Sequence, residues 1–582
     1  MPGFLITNFG VKKEILDYRV SDLQHDCANI GSYYIERNTT RKFLNDKLFN
    51  WDKDCAIITE GVVLGKANII KNAATNSFFD ALKKTYEKSP HDLPLLSEQG
   101  WSGAYYDVKS DKWMAFTNPF GDKPVFYSQV GDRFVIATSI YYVLELLKQN
   151  CIDYSLNEAA VYDMLTYGYM VNGTGDNTLV NEIKRLPAGC AIETSGGEIK
   201  TYRYHNFNNC TKLPETVLES EIVEKIDALF RYAIKLEYDK DNEYNYRHLC
   251  ALSGGLDSRM NFWVANELGY KNILAETFSQ FNTLDTKIAQ SIAHDKNCEW
   301  IFKPLDDALF IKRLKEDALS CEGLCDASGV IHENSLLTVL DFRQFGILHT
   351  GQIGDVVLGS FYQKIHTPEI CPFSKANSVI LKEKSTSTIE SDFYSNNEMF
   401  MLYNRGFRGA LASQISIANY TECISPFLYL PFFEYCMSIP DKYRVDHYIY
   451  KKWIIEKYPE AAKYIWEKTG LKITDKKYTF FLKKIKDKGI WNCFAAVLRR
   501  LGIPAHNKTK ISSNNMNPYD YWYKNKPWLR EYLKNNFFKE LETCCAKNQL
   551  KKDMEYMFFK GTCREKVQLL TTLNVINYIF NV

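Results

Sequence analysis

Apolar and polar residues alternate with period two through much of the first two hundred positions. That pattern predicts short strands at Phe4–Thr7, Ala56–Ile58, Gly103–Val108, Trp113–Thr117, Val125–Tyr127 and Phe134–Ala137. The polar run Asp107-Val108-Lys109-Ser110-Asp111-Lys112 between two of them is hairpin chemistry. A 3.6-residue period over Phe78–Lys88 predicts a helix. Residues 1–205 therefore read as one antiparallel, sheet-rich domain. It closes at the polar loop Asn206–Glu215, before a long amphipathic helix reaching about Leu236.

From there the pattern changes. Strand-like runs at Arg247–Leu252, Asn272–Phe278, Glu299–Phe302 and Phe345–Thr350 alternate with helix-like runs at Met260–Leu268, Leu284–Ala293 and Asp306–Lys315. Alternation of this kind implies a doubly wound parallel sheet whose ligand lies at the carboxyl ends of the strands. Beyond about residue 390 the chain reads helical and apolar, with Phe427–Pro431 a buried turn. Residues 206–582 thus form a second, α/β domain with a helical C-terminal part. Segment 472–510 is basic and reads as a solvated helical face, with an anion-binding surface as the alternative.

Bulk properties narrow the function. At 582 residues the chain exceeds one core and calls for two or three domains. A net charge of +2 argues against nucleic acid as the main partner. The 16 cysteines are scattered with no C-x-x-C pair, which reads as reduced thiols in a cytoplasmic protein. No signal peptide is expected, and the longest apolar stretch, Pro426–Ile439, is broken by prolines and a glutamate, so no membrane span is expected.

The most informative segment is Ser253-Gly254-Gly255-Leu256-Asp257-Ser258, after the apolar run ending at Leu252 and before a helix opening near Arg259-Met260. Strand, glycine turn and helix start present backbone N–H groups to phosphate. Asp257 would repel a phosphate unless a divalent cation lay between them, so it implies Mg²⁺. No G-x-x-x-x-G-K-[ST] occurs, so this is not a Walker loop. The segment resembles the signature of the ATP pyrophosphatase (PP-loop) superfamily, enzymes that cleave ATP between the α and β phosphates. Thr350-Gly351-Gln352-Ile353-Gly354-Asp355 ends another strand and offers a second carboxylate.

With both motifs in hand the chain resembles the asparagine synthetase superfamily over most of its length. Phe120-Gly121-Asp122-Lys123-Pro124-Val125-Phe126-Tyr127 and Ala137-Thr138-Ser139 look like segments of that family's class II amidotransferase domain, an N-terminal-nucleophile αββα sandwich. Ser425-Pro426-Phe427-Leu428 resembles its P-F-L-D, and Trp466-Glu467-Lys468-Thr469-Gly470 falls where it has R-x-K-x-G. The resemblance implies ATP held by Leu252, Ser253, Gly254, Gly255, Asp257, Ser258, Thr350 and Gly351. It further implies Mg²⁺ on Asp257 and Asp355, and Lys468 offsetting charge in the reaction.

Departures from the family are as telling. Its glutaminase needs a cysteine after the initiating Met, with the free amine as base; here the chain opens Met1-Pro2-Gly3. The glutamine-holding N-G-E is replaced by Glu60-Gly61-Val62, Gln352 stands where asparagine synthetases carry a Glu, and Val356 where they carry another. The same losses mark β-lactam synthetase and related macrolactam-forming enzymes. The expectation is an AMP-forming amide ligase without glutamine hydrolysis. Its substrate would be a small-molecule, peptide or sugar-linked carboxylate with an amine acceptor. A general base must take the amine proton; Glu398 and Glu422 lie in the right region, but each reads more readily as structural, and another residue stays open. Two alternatives stay open: an asparagine synthetase fed by ammonia or a separate glutaminase, and a non-catalytic nucleotide-binding scaffold. Homodimer and association with biosynthetic partner enzymes are equally open.

Overall fold

Strands apolar on both faces stack two antiparallel sheets between layers of helix. The computed structural model describes residues 2–15, 23–97, 99–171, 175–361, 370, 376–385, 393–475 and 515–581. Twelve strands precede residue 204: β1 Gly3–Thr7, β2 Leu23–Ile30, β3 Tyr33–Thr40, β4 Phe49–Trp51, β5 Cys55–Gly61, β6 Trp101–Asp107, β7 Lys112–Thr117, β8 Phe126–Val130, β9 Arg133–Ala137, β10 Lys184–Arg185, β11 Cys190–Ser195 and β12 Glu198–Arg203. They form two six-stranded sheets, ordered β10-β8-β9-β1-β3-β2 and β12-β11-β7-β6-β5-β4. The β6–β7 hairpin pairs Asp107 with Lys112.

Phe4, Ile6, Ile35 and Ile136 of one sheet meet Ile58, Tyr106, Trp113 and Ile192 of the other. Helix α1 (Phe78–Lys88) covers the outer face of the second sheet, and α2 (Ile140–Gln149) and α3 (Glu158–Tyr167) cover that of the first. Strands β2 and β3 escaped the sequence reading for opposite reasons. The first is a polar edge, and the second buries Glu36, Arg37, Asn38 and Thr39. Glu36 is held by the Ile15 amide at 2.8 Å, so its burial is satisfied.

The second half is built on a five-stranded parallel sheet of β13 Arg247–Ala251, β14 Ile273–Ser279, β15 Glu299–Pro304, β16 Phe345–His349 and β17 Cys423–Ile424. Its order is β15-β14-β13-β16-β17. The chain steps outward from β13 to β15, then returns to the other side of β13. The topological switch point therefore lies between β13 and β16, where an open α/β sheet leaves a crevice at its carboxyl edge. The long helix α4 (Glu219–Glu243) packs on one face with α5 (Leu256–Glu267) and α6 (Leu284–Asp295). Helix α7 (Ile331–Leu337) covers the other. Of the basic segment 472–510, read as a solvated helical face, residues 476–510 lie outside the described residues, and Lys472 ends a short strand. No helix among the described residues is long and apolar enough to cross a membrane.

The two halves share one core. Helix α8 (Leu430–Ser438) and α9 (Tyr448–Lys457) belong to the sheet, whereas the terminal α10 (Cys563–Phe580) packs its apolar residues with those of α2 and α3. Gln568 donates to the Met164 carbonyl at 2.6 Å and Tyr154 to that of Ile579 at 3.1 Å.

Helix α4 runs two turns past its expected end at Leu236, because its charged tail is buried and paired. Asp241 Oδ2 accepts from His248 Nδ1 and His349 Nε2, each at 2.8 Å, and His349 Nδ1 faces Glu237 at 3.3 Å. Asp241, His248 and His349 are close enough to hold a metal, but the hydrogen bonds among them already use the donor set. Burial opposes charge on His349, yet Asp241 and Glu237 push it up to about 9. Its folded-state pKa thus exceeds the ordinary 6.5, so its stabilisation is complete below that pH and lost as pH rises through about 9. His349→Gln should destabilise by about 3–5 kcal/mol at pH 6. The deficit should shrink above pH 9, as urea unfolding of both proteins across that range will show.

Candidate nucleotide site at the switch point

The loop after β13 begins with Leu252, buried and tied to β14: its N–H donates to the Glu276 carbonyl and its carbonyl accepts from Thr277. Helix α5 then opens at Leu256 with Gly255 as its N-cap, earlier than the Arg259-Met260 expected. Asp257 and Ser258 consequently sit in the first helical turn, where the helix dipole favours negative charge. The loop is internally bonded. Ser253 N–H donates to Ser258 Oγ (3.1 Å), Gly255 N–H to Ser253 Oγ (3.1 Å) and Gly254 N–H to Asp285 Oδ1 (3.0 Å). Those hydroxyl and carboxylate oxygens occupy the positions at which an anion would accept the same N–H groups.

The loop after β16 folds directly onto this turn. The Asp355 N–H donates to Asp257 Oδ2 at 3.0 Å, and Tyr450 donates its hydroxyl to Oδ1 at 2.7 Å. A Cβ on Gly351 would stand 2.5 Å from the Ser258 nitrogen, and one on Gly354 2.7 Å from Asp257 Cγ. Both glycines are therefore required by the approach of one loop to the other. Between them Ile353, β-branched and buried, is held at φ +69°, a costly conformation. Thr350 donates to the Ile424 carbonyl and accepts at its own carbonyl from Asn261 (2.7 Å), and Ser425 donates to the Gln352 carbonyl (2.8 Å). Burial, and next the Asp355 carboxylate, push Asp257 up to about 7, against the Tyr450 hydroxyl, the Asp355 N–H and, least, the Lys468 charge.

Lys468 lies on the exposed turn between β18 (Ile465–Trp466) and β19 (Leu471–Lys472). The hairpin is brought to the loop by backbone. Glu467 N–H donates to the Gly254 carbonyl, and the buried Arg259 donates to Gly254 (3.1 Å), Ala461 (3.2 Å) and Ile465 (2.7 Å) carbonyls. Arg259, Asp285 and Tyr450 belong to this constellation and the sequence reading missed them. An arginine directly after S-G-G-L-D-S, at the opening of a helix, was the available signal for the first.

Neither candidate base is free. Glu398 is bound by Arg444 (2.6 and 3.1 Å) and Asn209 (2.7 Å). Glu422 pairs with Lys123 and, at 3.3 Å, with Lys47. Although burial opposes its ionisation, the two lysines hold Glu422 down to about 2, which makes it a poor proton acceptor. Both carboxylates are thus held in buried ion pairs. Near the start of the chain, Pro2 is buried against a cavity of about 30 Å³ lined by Glu60, Ser102, Asp122, Lys123 and Thr138. That is room for a water or two.

The described residues make a mixed α/β protein with two antiparallel sheets, one parallel five-stranded sheet and a helical C-terminal part. No family model matches the chain, and no curated protein matches it in sequence. Among solved structures it is similar to the allosteric regulatory enzyme of purine biosynthesis, at 8% identity and a TM-score of 0.23 over 52% of this chain and 74% of that one. It is also similar to the glutamine phosphoribosylpyrophosphate amidotransferase from B. subtilis complexed with ADP and GMP. There the identity is 8% and the TM-score 0.21, over 47% and 67% of the two chains. At these values neither likeness bears on what this chain does.

Gly351→Ala should force the two loops apart, costing about 1–3 kcal/mol as overpacking does. A lowered melting temperature together with weakened ATP binding by calorimetry is the expected result. Unchanged ATP binding would disconnect the contact from the site.

Proposed function

We propose that this chain is an ATP-dependent, AMP-forming amide ligase of asparagine-synthetase-like design, with residues 206–582 as the synthetase unit. Residues 1–205 would be an amidotransferase-like unit that has lost its chemistry. The observation that carries the reading is the meeting of Asp257 and Asp355 at the switch point of a parallel sheet, beside a serine-glycine turn that opens a helix. A carboxylate bonded to the backbone of a second aspartate, and pushed up to about 7 by burial and by that aspartate's charge, fits a divalent cation. Asp257 and Asp355 would hold Mg²⁺, which supplies charge neutralisation for the triphosphate.

The chain's own residues divide the remaining work. Ser253, Ser258 and the amides of Gly254 and Gly255 would exchange their internal hydrogen bonds for phosphate oxygens, and Asp285 would release Gly254. A substrate carboxylate oxygen then attacks the α-phosphorus, and the bond to the bridging oxygen breaks to release pyrophosphate. An amine nitrogen attacks the acyl carbon and gives up its proton to solvent water, and the bond from that carbon to the AMP oxygen breaks, releasing AMP. Lys468, steered to the turn by Arg259, offsets the oxyanion charge as the amine adds. The enclosed Pro2, with no nucleophilic side chain, supports a unit that hydrolyses no glutamine.

ATP–[³²P]pyrophosphate exchange across a panel of carboxylates that includes aspartate tests this. The expected result is exchange that depends on one carboxylate, ignores glutamine, and falls by more than about 10²-fold in Asp355→Ala and Asp257→Asn. Absence of exchange with every carboxylate, or ammonia release from glutamine, would overturn the reading. Lys468→Ala should lower amide formation by about 10²–10³-fold with less effect on ATP binding.

A further inference from the structure

Strand β14 carries a glutamate in the middle of a buried run, Ile273-Leu274-Ala275-Glu276-Thr277-Phe278. Leu274 and, by alternation, Glu276 and Phe278 face helix α7, where Leu274 meets Leu336 and Leu337. Glu276 is 1% exposed, and neither carboxylate oxygen has a hydrogen-bond partner. Burial pushes it far above the usual carboxylate range, and the charge of Glu333 on α7 pushes it further; burial takes Glu333 itself to about 7. Neither is in an ion pair with a lysine or arginine among the described residues, although the Arg564 charge acts on the neighbouring His332.

A second orphan stands beside them. His332 packs its ring on Phe278 at 4.8 Å, is 4% exposed, and its Nδ1 has no hydrogen-bond partner. Burial holds it down to about 4, so it is neutral and cannot serve as counter-ion. The place is next to the candidate site. Glu276 is in register with Ala251 of the central strand, two residues before Ser253, and paired residues of neighbouring strands share a face. Ala251 is only half-buried although it ends the central strand, and so are Glu333, Ser253 and Gly351. A buried polar group left unpartnered is costly unless something completes it.

We propose that Glu276 and Glu333 form a subsite for a cationic amine, the amine substrate in its protonated form, on the α7 face of the parallel sheet. The assignment rests on the ligase reading for the identity of the ligand. An ammonium group supplies three donors and one positive charge, which the two carboxylates lack. Without it, one of the pair keeps a proton.

The test is calorimetric titration of the full chain with methylammonium and 1,4-diaminobutane, with 1,4-butanediol as the neutral control. Infrared spectra are recorded alongside. Wild type should bind the ammonium compounds and not the diol, and the band of a protonated carboxyl should diminish as they bind. Glu276→Gln and Glu333→Gln should each weaken ammonium binding at least tenfold. Glu276→Gln should melt no lower than wild type, because it removes an unpartnered carboxyl. Equal ammonium binding by wild type and Glu276→Gln, or no binding and no infrared change in folded wild type, would overturn the proposal. So would a site filled by Mg²⁺ alone and lost in Glu276→Gln. Failure of pyrophosphate exchange would remove the ligase reading while leaving the ammonium titration to stand or fall separately.

Discussion

The contact on which the second half depends is the one between the Asp257 carboxylate and the backbone of Asp355. Two loops from strands β13 and β16, 98 residues apart, meet there through a hydrogen bond that a side chain at position 351 or 354 would obstruct. The sheet order makes the meeting possible, since only at the switch point do neighbouring strands send their following segments to opposite sides. The arrangement stores cost as well as order. A buried isoleucine sits at positive φ, and a carboxyl is pushed toward neutrality by burial and a second carboxylate. Strain and unneutralised charge thus gather in one place at the switch point.

The first half is attached by charge as well as by apolar packing. Lys47 and Lys123, from the antiparallel sandwich, reach across to Glu422 beside β17, and Lys47 also pairs with Glu60. Buried ion pairs of this kind add little net stability, because desolvation offsets attraction, but they penalise any other docking of the two surfaces. The apolar cluster under α10 and these ion pairs both join the two halves. Glu422 is thereby committed to architecture, whatever its nearness to the sheet edge.

Legibility in the sequence followed how locally each feature is determined. Helix α1 was read with its bounds intact, because Ser77 caps it and its apolar face has a 3.6-residue period. The β6–β7 hairpin was legible from its turn residues, and four of the parallel strands from their continuous apolar runs. Strand β3 was invisible because buried Glu36, Arg37 and Asn38 imitate an exposed segment. The end of α4 was misjudged for the same reason, since Glu237 and Asp241 are polar in the sequence and interior in the molecule.

What the sequence determined by itself was the chemistry available: a serine-glycine turn before a helix and a second glycine-flanked aspartate. These depend on residue type and near neighbours, which a chain displays directly. Only the tertiary structure decided which groups are free to act. It committed Glu398 and Glu422 to arginine and lysine partners, drew Arg259, Asp285 and Tyr450 into the site, and left Glu276 without a partner. The physical reason is that a charge's role depends on what lies within a few ångströms of it and on how far water is excluded. Both are set by residues dozens to hundreds of positions away.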